Sequence, residues 1–195
     1  MKNAVALIAV AGIASVAAAQ NFSLTVVPSA TSVAEGGTFT LSVYGDADQG
    51  SHMLGGAFSM SSDSALVDSI SWSNAAWSAF NTDGGDAGNG NYNEVIFGQL
   101  VIPGIFPPAA GSELGGLIGS FQVNLAAAGA GIIDFQLNAS TGPFSLQSVD
   151  SVSGALFDDS NGQLSLGSTR VTVTPAPSAL ALLGLGGIAA GRRRR

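Results

Sequence analysis

Apolar residues recur at every second position along much of this chain, and that period decides what it can fold into. Phe22, Leu24 and Val26 alternate with Ser23 and Thr25, and Phe39, Leu41 and Val43 with Thr38, Thr40 and Ser42. Phe121, Val123 and Leu125 alternate with Ser120, Gln122 and Asn124, and Ile133, Phe135 and Leu137 with Asp134, Gln136 and Asn138. A period of two puts one set of side chains in a core and the other in water, which is the pattern of antiparallel strands. Helical periodicity is convincing nowhere between the two ends. Further strands are predicted over residues 57–60, 66–72, 94–101, 144–149 and 163–173. Turn chemistry punctuates them at Glu35-Gly36-Gly37, Gly45-Asp46, Gly129-Ala130-Gly131, Thr141-Gly142-Pro143 and Asn161-Gly162. About nine short strands with such turns make an all-β chain, a single antiparallel β-sandwich over residues 20–174. Two segments, 81–93 and 103–116, are longer than a hairpin needs, and long loops are where binding residues gather.

The two ends read differently. Met-Lys-Asn is followed by an apolar run from Ala4 to Val16 and then Ala17-Ala18-Ala19. A charged start, a short apolar stretch and small residues before Gln20 form a signal peptide over residues 1–19, a substrate for signal peptidase and the export machinery. At the other end, Pro175-Ala176-Pro177 precedes an apolar segment from Ser178 to Gly191, and Arg192, Arg193, Arg194 and Arg195 close the chain. As a helix those 14 residues would reach ~21 Å, short of a ~30 Å hydrocarbon core. The arginine cluster keeps its end on the cytoplasmic side and leaves the body outside.

This order of proline motif, short Gly/Ala/Leu helix and terminal arginines over residues 175–195 resembles the PEP-CTERM sorting tail. The resemblance implies a membrane-embedded protease, an exosortase, that cuts near the motif and passes the protein to the cell surface or extracellular matrix. Ala176 stands where that family usually has glutamate. Inside the body, the run from Val26 to Val43, the segment Gly56–Leu66 and the later pair Ser120–Leu125 and Gly131–Asn138 resemble cohesin-like sandwiches. That resemblance implies a cohesin-like or jelly-roll-like β-sandwich, flanked by a signal helix and a sorting helix, with a binding role.

Charge and chemistry narrow the function. All thirteen acidic residues lie between Glu35 and Asp159, and Arg170 is the one cation between residues 20 and 174, so the body carries −12. Such a surface repels nucleic acid and anionic headgroups. With no cysteine in the chain, thiolate catalysis and Cys-ligated metals are excluded. The single imidazole, His52, follows Ser51, and adjacent strand residues point to opposite faces, which makes no relay. The carboxylate pairs Asp46/Asp48 and Asp158/Asp159 carry no glycosidase signature. The stretch from Asp83 to Glu94 sets hard oxygen ligands among glycines, which makes Asp83 and Asp86 candidate calcium ligands, although the EF-hand pattern is not met. Trp72 belongs to a strand and to the core. Trp77, with Tyr92, is the candidate for an exposed ring that stacks on sugar. These observations make the chain a non-enzymatic structural or interaction protein of the cell surface. A carbohydrate-binding module acting on extracellular polysaccharide is the second reading, and a secreted hydrolase the third.

Overall fold

The computed structural model describes residues 21–127, 129–140 and 162–176, and twelve strands with no helix make up the regular structure among them. They are β1 (Phe22–Pro28), β2 (Ser32–Ala34), β3 (Thr38–Ala47), β4 (Gly55–Ser61), β5 (Val67–Asn74), β6 (Thr82–Asp83), β7 (Asp86–Gly88), β8 (Asn91–Gly98), β9 (Leu117–Leu125), β10 (Gly131–Ala139), β11 (Leu164–Leu166) and β12 (Ser168–Thr174). The signal segment, the apolar run with its arginines and the strand expected over 144–149 lie outside the described residues. The all-β sandwich expected from the alternation is what the body adopts. One sheet runs β11-β1-β3-β9-β5; the other runs β2-β12-β10-β4-β8-β6, with β7 also paired to β8.

Two local expectations change. The segment 81–93 is no open loop: it holds β6, β7 and the start of β8, which pair Thr82 with Ile96 and Asp86 with Tyr92. The stretch 163–173 is two strands in different sheets, because Gly167 lies against the β1 backbone, 2.8 Å from its N–H to the Leu24 carbonyl. A Cβ there would sit 2.9 Å from that carbonyl oxygen, so glycine permits the crossing. β1 and β2 change sheets in the same way, and each lies parallel to its counterpart at the other end of the chain, β1 on β11 and β2 on β12. The first and last strands thus cross from sheet to sheet together.

The core follows the alternation. Phe22, Leu41, Val43, Phe121, Val123, Ile133, Phe135 and Leu137 are all buried. Phe121 of β9 is the point where the sheets meet: its ring centroid lies 4.6 Å from Trp72 of β5, 5.1 Å from Tyr92 of β8 and 6.2 Å from Phe58 of β4. Edge and tilted contacts of this kind add to the area each ring buries. Trp72 is in the core, as its shared strand face with Ile70 implied.

The register also fixes which features share an end. β12 runs out at Thr174 beside Ala34 and Gly131, so the chain leaves the body at that pole. β4 and β8 bring Gly55 and Gly98 together at the opposite pole, and β1 begins there, Phe22 opposite Ala47. We call these the exit pole and the distal pole.

Gly119 gives a direct test of this packing. A Cβ at Gly119 would lie 2.3 Å from the Trp72 ring, which is already held by Phe58 and Phe121. Gly119→Ala is expected to cost about 1–3 kcal/mol by overpacking. The denaturant midpoint should fall and Trp72 fluorescence should report loosened packing; an unchanged midpoint would contradict the contact.

Candidate interaction surface

The structure brings three of the sequence-chosen residues together, in a structural role. Tyr92 is buried, and its hydroxyl donates to Asp83 Oδ1 while accepting the Trp72 backbone N–H at 3.2 Å. Asp86 Oδ2 accepts the Ile70 N–H at 2.9 Å, and its Oδ1 takes the Gly88 N–H at 2.7 Å. Asp83 Oδ1 also takes the Gly85 N–H at 3.0 Å. Ile70 and Trp72 belong to β5, the edge of one sheet, and Asp83, Asp86 and Tyr92 to the other. These side chains therefore lace the edge of one sheet to the flank of the other and occupy donors that an edge strand would otherwise expose. Burial first, then the hydrogen bond and charge of Asp83, push the Tyr92 phenol well above its ordinary range. Asp83 and Asp86 form a seam, and no group of three or more His, Asp or Glu able to hold a metal ion occurs among the described residues.

The expected exposure of Trp77 is corrected. It is 5% exposed, its indole N–H donates to the Leu117 carbonyl at 2.7 Å, and its ring meets Phe97 edge-on at 6.0 Å. Neither Trp77 nor Tyr92 offers a ring face to solvent. Periodicity could not show this, because Trp77 lies in a connection and not in a strand.

The other sequence candidates separate. The Ser51 hydroxyl lies 3.0 Å from His52 Nδ1, nearer than opposite strand faces allow, since the two sit on a loop bridged to Glu113. Asp46 accepts the Ala47 N–H, and Asp48 the Asn21 amide at 2.6 Å. Asp158, Asp159, Pro177 and Arg192–Arg195 lie outside the described residues. Pro175 is exposed and Ala176 half-buried; the Ala176 N–H donates to Glu35 Oε1 at 3.1 Å, and Glu35 Oε2 accepts the Gly129 N–H at 3.0 Å. One carboxylate thus ties the first residues of the tail to a turn of the body. Arg170 is held by Asp134 through two bonds of 2.7 and 3.1 Å, and the guanidinium keeps that carboxyl below its usual range.

What sequence reasoning missed lies at the distal pole. A groove of about 680 Å³ opens there, floored by Gly55, Gly56 and Gly98 and walled by Phe80, Ile96 and Leu100. Phe80 is 57% exposed and Leu100 53%. From Leu100 and Val101 the chain enters a tight turn, Ile102-Pro103-Gly104-Ile105, closed by a 2.9 Å bond from the Ile105 N–H to the Ile102 carbonyl. Proline then glycine at the two central positions, with Gly104 at φ +78°, is the chemistry of a type II turn. It holds Ile105 and Phe106 out in water, 68% and 51% exposed. The loop base is firm: the Gln99 side chain donates to the Met53 carbonyl at 2.7 Å and accepts the Ala109 N–H at 2.8 Å. Large apolar side chains held out in this way make this pole the candidate interaction surface. The signal in the sequence was the run Leu100-Val101-Ile102-Pro103-Gly104-Ile105-Phe106, apolar without alternation and interrupted by turn residues.

No family model and no curated protein matches the chain. Solved structures do. A cohesin–dockerin complex from Clostridium thermocellum contains a chain that matches with a TM-score of 0.53 at 11% identity, over 78% of this chain and 99% of that one. The cohesin has this fold. A cohesin module of a family 33 glycoside hydrolase from Clostridium perfringens matches with a TM-score of 0.51 at 12% identity, over 80% of this chain and 99% of its own. The sixth cohesin of scaffoldin B from Acetivibrio cellulolyticus, solved with a Cel5 dockerin, gives 0.50 and 12% over the same shares. The cohesin-like sandwich expected from the sequence is thereby the fold of the body.

The seam yields a prediction with a pH signature. Tyr92→Phe leaves the Trp72 N–H without its acceptor and is expected to cost about 1–3 kcal/mol. Because the folded phenol resists ionisation, its contribution is complete below the unfolded tyrosine pKa of ~10 and declines as pH rises beyond it. Wild-type stability should therefore fall on the alkaline side more steeply than that of Tyr92→Phe in urea titrations at pH 8 to 11. Parallel curves would rule out the role given to the hydroxyl.

Proposed function

We propose that this chain is an exported, exosortase-sorted protein of the cell surface or extracellular matrix, and that its sandwich is a non-enzymatic module for binding a protein partner. The observation that carries the binding role is the exposed apolar rim of the distal groove, Phe80 and Leu100, continued along the chain by the turn that holds out Ile105 and Phe106. The fold supports it, since two of the matched cohesins were solved in complex with dockerins. The sugar-binding reading loses its basis, because the rings chosen for it are packed in the core. Export rests on the signal peptide of residues 1–19, and sorting on the proline motif, apolar run and arginines of residues 175–195. The tie from Glu35 to Ala176 bears on where a membrane protease can act. A protease takes its substrate as an extended, unpaired strand, whereas the backbone through Ala176 is already bonded to the body.

Two measurements test the two halves. Terminal peptide mass spectrometry of the surface fraction should find the mature chain beginning at Gln20, ending at or beyond Ala176 and lacking Arg192–Arg195. An intact arginine end would make the tail an ordinary anchor. Separately, capture of envelope proteins by the full chain should fall at least tenfold in Ile105→Ser/Phe106→Ser, with the melting temperature unchanged. Equal capture by the variant would remove the rim from the binding role.

A further inference from the structure

We propose that the distal groove is built for a cationic polypeptide that inserts an apolar anchor beside Phe80 and Leu100, next to the turn that carries Ile105 and Phe106, and that it is aimed away from the membrane carrying the tail. The proposal deepens the binding role above and rests on it. Three observations lead to it.

The first is charge. The body carries thirteen acids against one cation, and that cation, Arg170, is occupied by Asp134 on the β10–β12 pair. Among the described residues no Lys or Arg lies at the distal pole, while Asp46, Asp48 and Glu113 do. A partner approaching this pole meets a negative field that draws in lysines and arginines and repels acids.

The second is the apolar rim. Charge alone steers without fixing a register, whereas large side chains leaving water supply the anchor. The groove floor has no side chains of its own at Gly55, Gly56 and Gly98; at Gly55 the β8 backbone is too close for any, and at Gly98 a Cβ would sit tightly, 3.1 Å from the Leu54 carbonyl oxygen. A Cβ on Gly55 would lie 2.5 Å from the Phe97 carbonyl oxygen. The floor therefore presents backbone, and an incoming side chain can enter there without displacing one.

The third is polarity along the strands. The chain leaves toward its tail beside Ala34 and Gly131, and Glu35 fixes that exit, whereas the groove lies where Gly55 pairs with Gly98. The strands between run about nine residues, roughly 30 Å at ~3.3 Å per residue. A tail set in the membrane thus holds the groove on the far side of the body.

These facts separate the occupants. A second copy carries the same −12 and is repelled. An anionic bilayer is repelled likewise, and the chain's own membrane is at the wrong pole. The chain's own tail has suitable charge, with four arginines, but in the sorting role the membrane holds it beyond the exit pole.

The test uses the full chain in phosphatidylcholine nanodiscs, with empty discs subtracted. The probes are three 15-residue amphipathic peptides: lysine-bearing with a Leu/Phe stripe, glutamate-bearing with the same stripe, and lysine-bearing with serine in the stripe. A photo-cross-linking residue in each stripe reports where it lands. The first peptide should bind at least tenfold more tightly than the others and cross-link to residues 99–108, and Ile105→Ser/Phe106→Ser should weaken it at least tenfold. Leu100→Ser serves as a second, independent variant and should weaken it as well. Equal binding of the glutamate peptide, cross-links at the exit pole, or indifference to both variants would overturn the proposal. So would rim-dependent self-association or binding to phosphatidylglycerol vesicles. If envelope proteins captured through the rim are acidic at their contact, the binding role stands and the charge assignment falls. If neither peptide nor envelope protein depends on the rim, both fall.

Discussion

Three rings meet Phe121, and they come from both sheets. Trp72 reaches it from β5, the neighbour of β9, while Phe58 and Tyr92 come across from β4 and β8. This contact joins the two layers and also sets conditions elsewhere. Gly119 must lack a side chain because the Trp72 ring fills its place. β9 must shift register opposite Val43 and Tyr44 to bring both Ile118 and Phe121 inward. Tyr92, drawn in by its ring, carries a hydroxyl into a buried place, and a buried hydroxyl needs partners. Asp83 and Trp72 supply them, and the seam along β5 follows from that need.

The sandwich handles its edges by the same economy. On one flank, β5 has its free donors taken by Asp86 and Tyr92. On the other, the first and last strands cross between sheets side by side, so the sheet that ends at β11 continues as β2 and β12. A β-sandwich with two open flanks would offer four rows of unpaired backbone groups to neighbouring chains. Short strands, a side-chain seam and a shared crossing remove most of that exposure, and the surplus negative charge discourages the rest.

Much of this was legible in the sequence, for a physical reason. Alternation is written residue by residue, so the strands around Phe22, Phe39, Phe121 and Ile133 were readable, and with them the fold. Trp72 was placed correctly because it shares a strand face with Ile70. Trp77 was not, because its burial depends on a carbonyl forty residues away, at Leu117. Asp83 and Asp86 were picked out as oxygen ligands among glycines, and Tyr92 separately, with Trp77, as a ring for stacking on sugar. Their use as a seam depends on β5 lying alongside, which local sequence does not record. The groove was hidden for a related reason: its floor is made of glycines on two strands, and only their pairing turns absent side chains into a recess.

The crossing at Gly167 has a mechanical meaning. The amino-terminal strand begins at one pole and the last strand ends at the other. In the proposed arrangement, a pull between a partner at the distal pole and a tail held in the membrane would act along the strands, not across them. Load in that direction must slide β12 past both β10 and β2, breaking many ladder bonds at once instead of opening them one by one. A domain strung this way resists shear where an edge strand pulled sideways would unzip. The arrangement suits a protein fixed at one end and gripped at the other.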